Sequence, residues 1–140
     1  MSIQEVQNKI IELLGEIEGL KGVYSYPEIS GKDGYPYIFV VWDNNASEIL
    51  TNASDRVKMS FKVVLVQEKL SSFRGPAAAE AVSNDRVWKI EKIFRDNNDL
   101  GIAGVLRVLP VSSKKTYDNS EPRIIVESVV EVEAIASVTT

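Results

Sequence analysis

Pro76-Ala77-Ala78-Ala79-Glu80-Ala81 opens a segment, Pro76 to Val111, around which the rest of the chain is organised. A proline is tolerated at a first helical position, because its missing N–H would have been unpaired anyway, and good helix formers follow it. Val82, Arg86, Val87, Ile90, Ile93, Phe94 and Asn97 recur at helical spacing, with the apolar members forming a stripe. Lys89, Glu91, Lys92 and Arg95 fall on other faces. Asp96-Asn97-Asn98-Asp99 ends the helix, since Asn and Asp compete for backbone hydrogen bonds and tolerate turns. Leu100-Gly101-Ile102-Ala103-Gly104 turns the chain, and Val105 to Val111 reads as a strand.

Working outward from there, Ser2 and Glu5 have the spacing of a capping box. Ile3, Val6, Ile10, Leu13, Ile17 and Leu20 follow as one apolar face, which predicts a helix to about Leu20. Gly15 and Gly19 weaken its second half, and Gly22 is its expected end. Val23 to Gly34 reads as an extended lead-in and a loop. Tyr35 to Trp42 is aromatic and β-branched throughout, a strand with two apolar faces. Asp43 to Asp55 reads as a long polar connection. Arg56 to Gln67 then alternates: Val57, Met59, Phe61, Val63 and Leu65 toward a core, Arg56, Lys58, Ser60, Lys62 and Val64 away from it. These two strands are expected to form an antiparallel hairpin. Glu68–Gly75 and Pro110–Pro122 read as further polar connections, and Arg123 to about Val138 as the last strand. In that strand Val126, Ser128, Val130, Val132 and Ala134 share one face. Glu127, Val129, Glu131, Glu133 and Ile135 share the other. The expected fold is α+β: a four-stranded antiparallel sheet, two main helices largely on one face, order α-β-β-α-β-β, in one domain over 1–140.

Composition limits the chemistry. The 140 residues fit one domain with a real core. A net charge of −4 argues against a general nucleic-acid binder, whose footprint is basic. The chain has no cysteine and no histidine. Disulfides, thiol catalysis, thiolate zinc sites and histidine-based triads are therefore excluded within it. No apolar run approaches a membrane span, and no signal-peptide pattern opens the sequence, so synthesis and folding in a cytoplasm are expected. Asn45-Ala46-Ser47 and Asn52-Ala53-Ser54 match the glycosylation acceptor pattern and read as chance matches in a polar loop.

Five features bear on function. Arg56, Lys58 and Lys62 make a basic stripe on one strand, and Glu127, Glu131 and Glu133 an acidic stripe on another. The stripes either form a solvated face of mixed charge or meet across a subunit boundary, where complementary charge fixes register. The Asp96 to Gly101 run lacks an EF-hand's third ligand, since Leu100 stands there, and its closing Glu, where Arg107 stands. It reads as a helix stop rather than a metal site. Lys114-Lys115 with Arg123 offers a phosphate contact or two solvated lysines, without any Gly-rich phosphate loop. Tyr24, Tyr26, Tyr35, Tyr37 and Trp42 concentrate aromatic area that serves a core or an interface. Catalysis would need a Lys, Ser, Tyr or carboxylate site, and no such group is set apart by its neighbours, so no catalytic residue, cofactor or metal is assigned.

The order of elements resembles the tail terminator and tail completion proteins of long-tailed bacteriophages, the group to which the terminator of phage lambda belongs. The resemblance covers nearly the whole chain. It is carried by the Ile3–Leu20 helix, the Tyr35-Pro36-Tyr37-Ile38-Phe39-Val40 strand, the alternating Arg56–Leu65 strand and the Pro76–Phe94 helix. The turn Asp99-Leu100-Gly101-Ile102-Ala103-Gly104-Val105 and the strand Ile124–Val132 complete it. It implies a subunit of a homo-hexameric ring at the head-proximal end of the tail tube. Such a ring ends tube polymerisation and gives the head–tail connector protein a docking surface. DNA passes through it without sequence-specific binding. Its place would be the virion tail, after assembly in the host cytoplasm, and it needs no catalytic residue. The connections 43–55, 67–75 and 110–122 would touch partners, by their length and polarity. The alternative from another class is a small α+β ligand-binding or regulatory domain without catalysis. An enzyme acting through a carboxylate or a lysine ranks last.

Overall fold

The computed structural model describes residues 2–28, 31–49, 54–68, 76–118 and 125–139. Seven elements follow in order: α1 (Ile3–Leu14), β1 (Val23–Tyr24), β2 (Tyr37–Ile49), β3 (Ser54–Glu68), α2 (Pro76–Asp96), β4 (Val105–Asp118) and β5 (Ile125–Thr139). Among the described residues, no helix is long and apolar enough to cross a membrane.

The sheet corrects the expected architecture. It has five strands in the order β1-β2-β3-β5-β4 and is mixed, not four-stranded and antiparallel. The additional strand is β1, which pairs in parallel with β2 through Val23 opposite Ile38 and Tyr24 opposite Phe39. Two residues are too few to show an alternating pattern, so the segment reads as loop in sequence. The element order is therefore α-β-β-β-α-β-β.

Strand lengths also differ from expectation. β2 continues past Trp42 to Ile49, and β4 past Val111 to Asp118. Most of the two supposed polar connections is thus strand, whereas residues 50–53, 69–75 and 119–124 lie outside the described residues. Register shifts after Trp42 and after Pro110 break the alternation that would have revealed the extensions. Asn, Asp and Ser are poor strand formers, but a long paired neighbour overrides that preference.

α1 starts as expected, with the Ser2 hydroxyl accepting from the Glu5 N–H at 3.1 Å. It ends at Leu14, six residues before Leu20, in a turn where Glu16 and Ile17 donate to Leu13 and Leu14 carbonyls. Gly19 has a φ of 87°, which ends the possibility of continuing the helix. Ile17 and Leu20 still pack on the core from this turn.

Both helices cover one face of the sheet. Val6, Ile10, Leu13 and Leu14 of α1 and Ile90 and Phe94 of α2 pack on Ile38, Val40, Phe61, Val63, Leu65, Val130 and Val132. The buried carboxamide of Gln7 joins α1 to β2, donating to the Val40 carbonyl at 2.7 Å and the Ser25 carbonyl at 3.2 Å. The opposite face is not uniformly solvated. Tyr37, Val64 and Val66 are buried there beneath Tyr24, Tyr35, Phe39, Ile125 and Val129. Val64 does leave the helix face as expected, but it enters this second cluster rather than water.

Phe61 and Lys62 are neighbours on opposite faces of β3, one fully buried and the other half exposed. Phe61→Ala is expected to cost ~3–5 kcal/mol of unfolding free energy. Lys62→Ala should change it by less than ~0.5 kcal/mol. Urea unfolding checks both, and similar losses for the two variants would mean the faces are misassigned.

Candidate functional site

The exposed part of the helix-free face is built on the central ladder. β3 and β5 pair along their whole described length, from Ser54 opposite Thr139 to Glu68 opposite Ile125. This register sets Lys62 opposite Glu131 and Ser60 opposite Glu133. Lys58 reaches Glu133 diagonally, with its Nζ 3.7 Å from the carboxylate. The bulge after Trp42 adds Asp43, whose carboxylate is 4.0 Å from the Lys62 ammonium. Ser112 of β4 donates its hydroxyl to Glu131 at 3.2 Å. Asp43, Asn44, Lys58, Ser60, Lys62, Val111, Glu131 and Glu133 line a shallow basin of about 300 Å³.

Four of the six residues singled out by charge, Lys58, Lys62, Glu131 and Glu133, therefore meet in one place. They meet inside a single sheet, as cross-strand neighbours. The other two stand at opposite ends of the face: Arg56 opposite Ser137, and Glu127 opposite Val66. Pairs this exposed contribute roughly 0–1 kcal/mol each. Their effect is on polarity and register: the face carries both signs of charge close together.

A second polar seam joins α2 to the outer half of β4, where no sequence pattern announces it. Ser113, Lys115 and Tyr117 stand opposite Val130, Ser128 and Val126, and so share the helix-covered face. Lys115 donates to Glu80 at 3.0 Å and also to Asn84. The Tyr117 hydroxyl donates to the same Glu80 oxygen at 2.8 Å, and Ser113 donates to Glu91 at 3.0 Å. That shared carboxylate holds the Tyr117 phenol above its ordinary pKa. Lys115 is thus a structural tie and not a solvated lysine. Lys114 is exposed on the other face, and Arg123 lies outside the described residues. The missing signal was the spacing Ser113, Lys115, Tyr117, hidden by the register shift just before it.

The aromatic residues separate into two groups. Tyr24, Tyr26, Tyr35 and Tyr37 stack at one end of the sheet, with ring centroids 5.5 to 5.8 Å apart. Lys32 caps them, 5.4 Å from the Tyr24 ring and 5.3 Å from the Tyr26 ring. Tyr37 donates to the Glu28 carbonyl at 2.7 Å, and Tyr24 donates to the Asp33 carboxylate. Trp42 stands apart and 44% exposed, donating to Asn45 at 2.8 Å. Trp88 on α2 is also exposed, under the Arg95 guanidinium at 5.3 Å.

The acidic turn after α2 uses its polar groups internally. Asn97 donates to the Ile93 carbonyl at 2.9 Å, the Gly101 N–H donates to Asp99 at 2.8 Å, and Asp96 pairs with Lys92 at 2.7 Å. Leu100 takes a φ of 55° there, with its side chain buried. Among the described residues, no group of His, Cys, Asp and Glu is placed to hold a metal ion.

No protein-family model matches the chain, and no curated protein matches it. Among solved structures, it is similar to a chain of the virion of a native gene transfer agent particle. The TM-score is 0.57 at 12% identity, over 94% of this chain and 95% of that one. At that identity the likeness establishes a shared fold and nothing finer.

Burial pushes the Tyr37 phenol up to about 12, and the hydrogen bond to Asp33 pushes Tyr24 to about 12. An unfolded tyrosine titrates near ~10, so above that pH the native state keeps protons the unfolded state has lost. Stability should therefore be full below ~10 and fall as pH rises toward 12. Tyr37→Phe should make that fall shallower. Unfolding midpoints across this range, with phenolate absorbance of the native protein, check it; parallel curves for the two proteins would contradict the assignment.

Proposed function

We propose that this chain is a structural subunit of a phage-type virion and, within that class, a tail terminator. The single observation that supports a virion subunit is the fold shared, over 94% of this chain, with a chain of a gene transfer agent virion. The sequence resemblance to tail terminators points the same way from an independent direction. The chemistry agrees with a role played by surfaces: the chain lacks His and Cys, and its charged groups on the open face are cross-strand neighbours. In this reading the subunit acts without catalysis. It closes with its own copies into a hexameric ring on the head-proximal end of the tail tube. The ring ends polymerisation of the tube protein, docks the head–tail connector protein, and lets DNA pass without reading its sequence.

The residues assigned to partner contact are those of the open face: Arg56, Lys58, Lys62, Glu127, Glu131 and Glu133, joined by Asp43. Mixed charge at this density favours correct register over raw affinity.

Light scattering across protein concentration and salt tests the reading, followed by electron microscopy of any large species. A closed ring with a mass near that of a hexamer is expected, alone or on addition of tail tube protein. A monomer under every condition, with tube protein present, would overturn it. A shift of the unfolding midpoint with a small molecule, in a chain that stays monomeric, would favour a ligand-binding domain instead.

A further inference from the structure

We infer that the subunits join edge to edge, the uncovered length of β2 in one copy pairing antiparallel with the outer half of β4 in the next. The proposal rests on the ring reading and names the surfaces that would build it.

Two edges of the sheet are open. β1 covers β2 only at Ile38 and Phe39, and the Gln7 side chain takes the Val40 carbonyl. Among the described residues no strand covers β2 from Trp42 to Ile49, and none covers the outer side of β4. Near its start β4 is partly occupied, since the Val108 N–H donates to the Asn98 carbonyl and Pro110 has no N–H to offer. From Val111 to Asp118 no strand among the described residues pairs with this edge. Soluble proteins blunt such edges with short strands, charge or coverage. These edges carry charge and a bulge each, yet they also expose large apolar groups: Trp42 on one, Val111 and Tyr117 on the other, the last two 46% exposed.

The two edges also differ in charge. The β2 stretch Trp42–Ile49 holds Asp43 and Glu48 and no basic residue. The β4 stretch carries Lys114, exposed, and Lys115, held by Glu80, and ends in Asp118. A head-to-tail contact brings unlike edges together, whereas a two-fold contact would bring like edges together.

Register gives the strongest support. Trp42 stands level with Phe61, and Tyr117 stands level with Val126 and so with Gln67. The open half of β2 and the open half of β4 are therefore offset by the six residues from Phe61 to Gln67. An even offset keeps the helix-covered faces of both copies on the same side. It sets Trp42 against the next copy's Tyr117, Asn44 against its Thr116, and Ala46 against its Lys114. Six residues of rise, ~20 Å, across four strands, ~19 Å, correspond to a strand tilt of roughly 45°, the upper part of the range that closed barrels use. The stagger that leaves the two edges open is the stagger a ring of continuous sheet needs.

The chain has no native cysteine, so paired cysteines report this contact directly. Asn44→Cys and Thr116→Cys are both exposed changes, and within one copy three strand spacings, ~14 Å, keep the two positions beyond disulfide reach. A mixture of the two single variants should give the mixed disulfide dimer under mild oxidation, and neither variant alone should give more than traces. The double variant should give a covalent ladder. Lys114→Glu, with native circular dichroism, should weaken association roughly tenfold, because it places like charge on the acidic edge. Association by light scattering without the mixed disulfide would overturn edge pairing and leave the ring reading standing. Efficient cross-linking of a single variant with itself would also overturn it, in favour of a two-fold contact. A chain that neither associates nor cross-links even with tail tube protein present would overturn both readings.

Discussion

The ladder between β3 and β5 is the constraint on which the rest depends. Every described residue of β3 has a partner on β5, with no register shift, and most also have one on β2. Side chains alternate faces along a strand, so a slip of one residue would turn Phe61, Val63 and Leu65 away from the helices and bring Lys62 inward. It would also part Lys62 from Glu131 and Lys58 from Glu133. One register thus sets the apolar core on one side and the charged basin on the other. The bulges that do occur lie on β2 and β4, at the flanks, where a local irregularity leaves the central pairing intact.

The two faces divide the work. On the covered face, α1 and α2 bury aliphatic and aromatic side chains; Gln7 bonds to backbone carbonyls and Gln67 to the Arg86 guanidinium at 2.9 Å, whereas the buried hydroxyls of Ser83 and Ser128 have no hydrogen-bond partner among the described residues. Partial burial lowers the pKa of that guanidinium. On the open face, stability comes from the tyrosine cluster at one end, and the remaining area is left polar. A sheet with one face closed by its own helices and the other free, and with two open edges, offers assembly surfaces without disturbing the core.

The long regular elements were legible in sequence because period and burial agree there. Val126 to Ala136 alternates buried and exposed as the pattern requires, and α2 starts at Pro76 and stops in the Asp96–Asp99 turn. The differences in the sheet share one cause. β1 is too short to show a period, and the polar ends of β2 and β4 follow bulges that shift it, so pairing with a neighbour decided what local preference did not. α1 stops at Leu14 although its apolar stripe runs on, because Gly15 and Gly19 let a turn present Ile17 and Leu20 to the same core. At the candidate site the charge stripes were visible, but their meeting within one sheet was not. Arg56, Lys58, Lys62, Glu127, Glu131 and Glu133 are distant in sequence, and only the β3–β5 register says which of them touch. Asp43 and the Lys115–Glu80–Tyr117 seam went unread for the same reason.

The position of β5 has a consequence for how the chain reaches this state. β5 follows β4 in sequence but stands between β3 and β4 in the sheet. As the chain leaves the ribosome, β2 and β3 can close early as a hairpin, while β4 has no strand to join until β5 arrives. Pairing β3 with β5 then spans the intervening helix and strand, a non-local contact of the kind that slows folding. Until that insertion is complete, the nascent sheet presents β3 as an apolar edge, and nascent copies on one message risk pairing with each other there. β5 is the strand that converts two separate pieces into a single sheet.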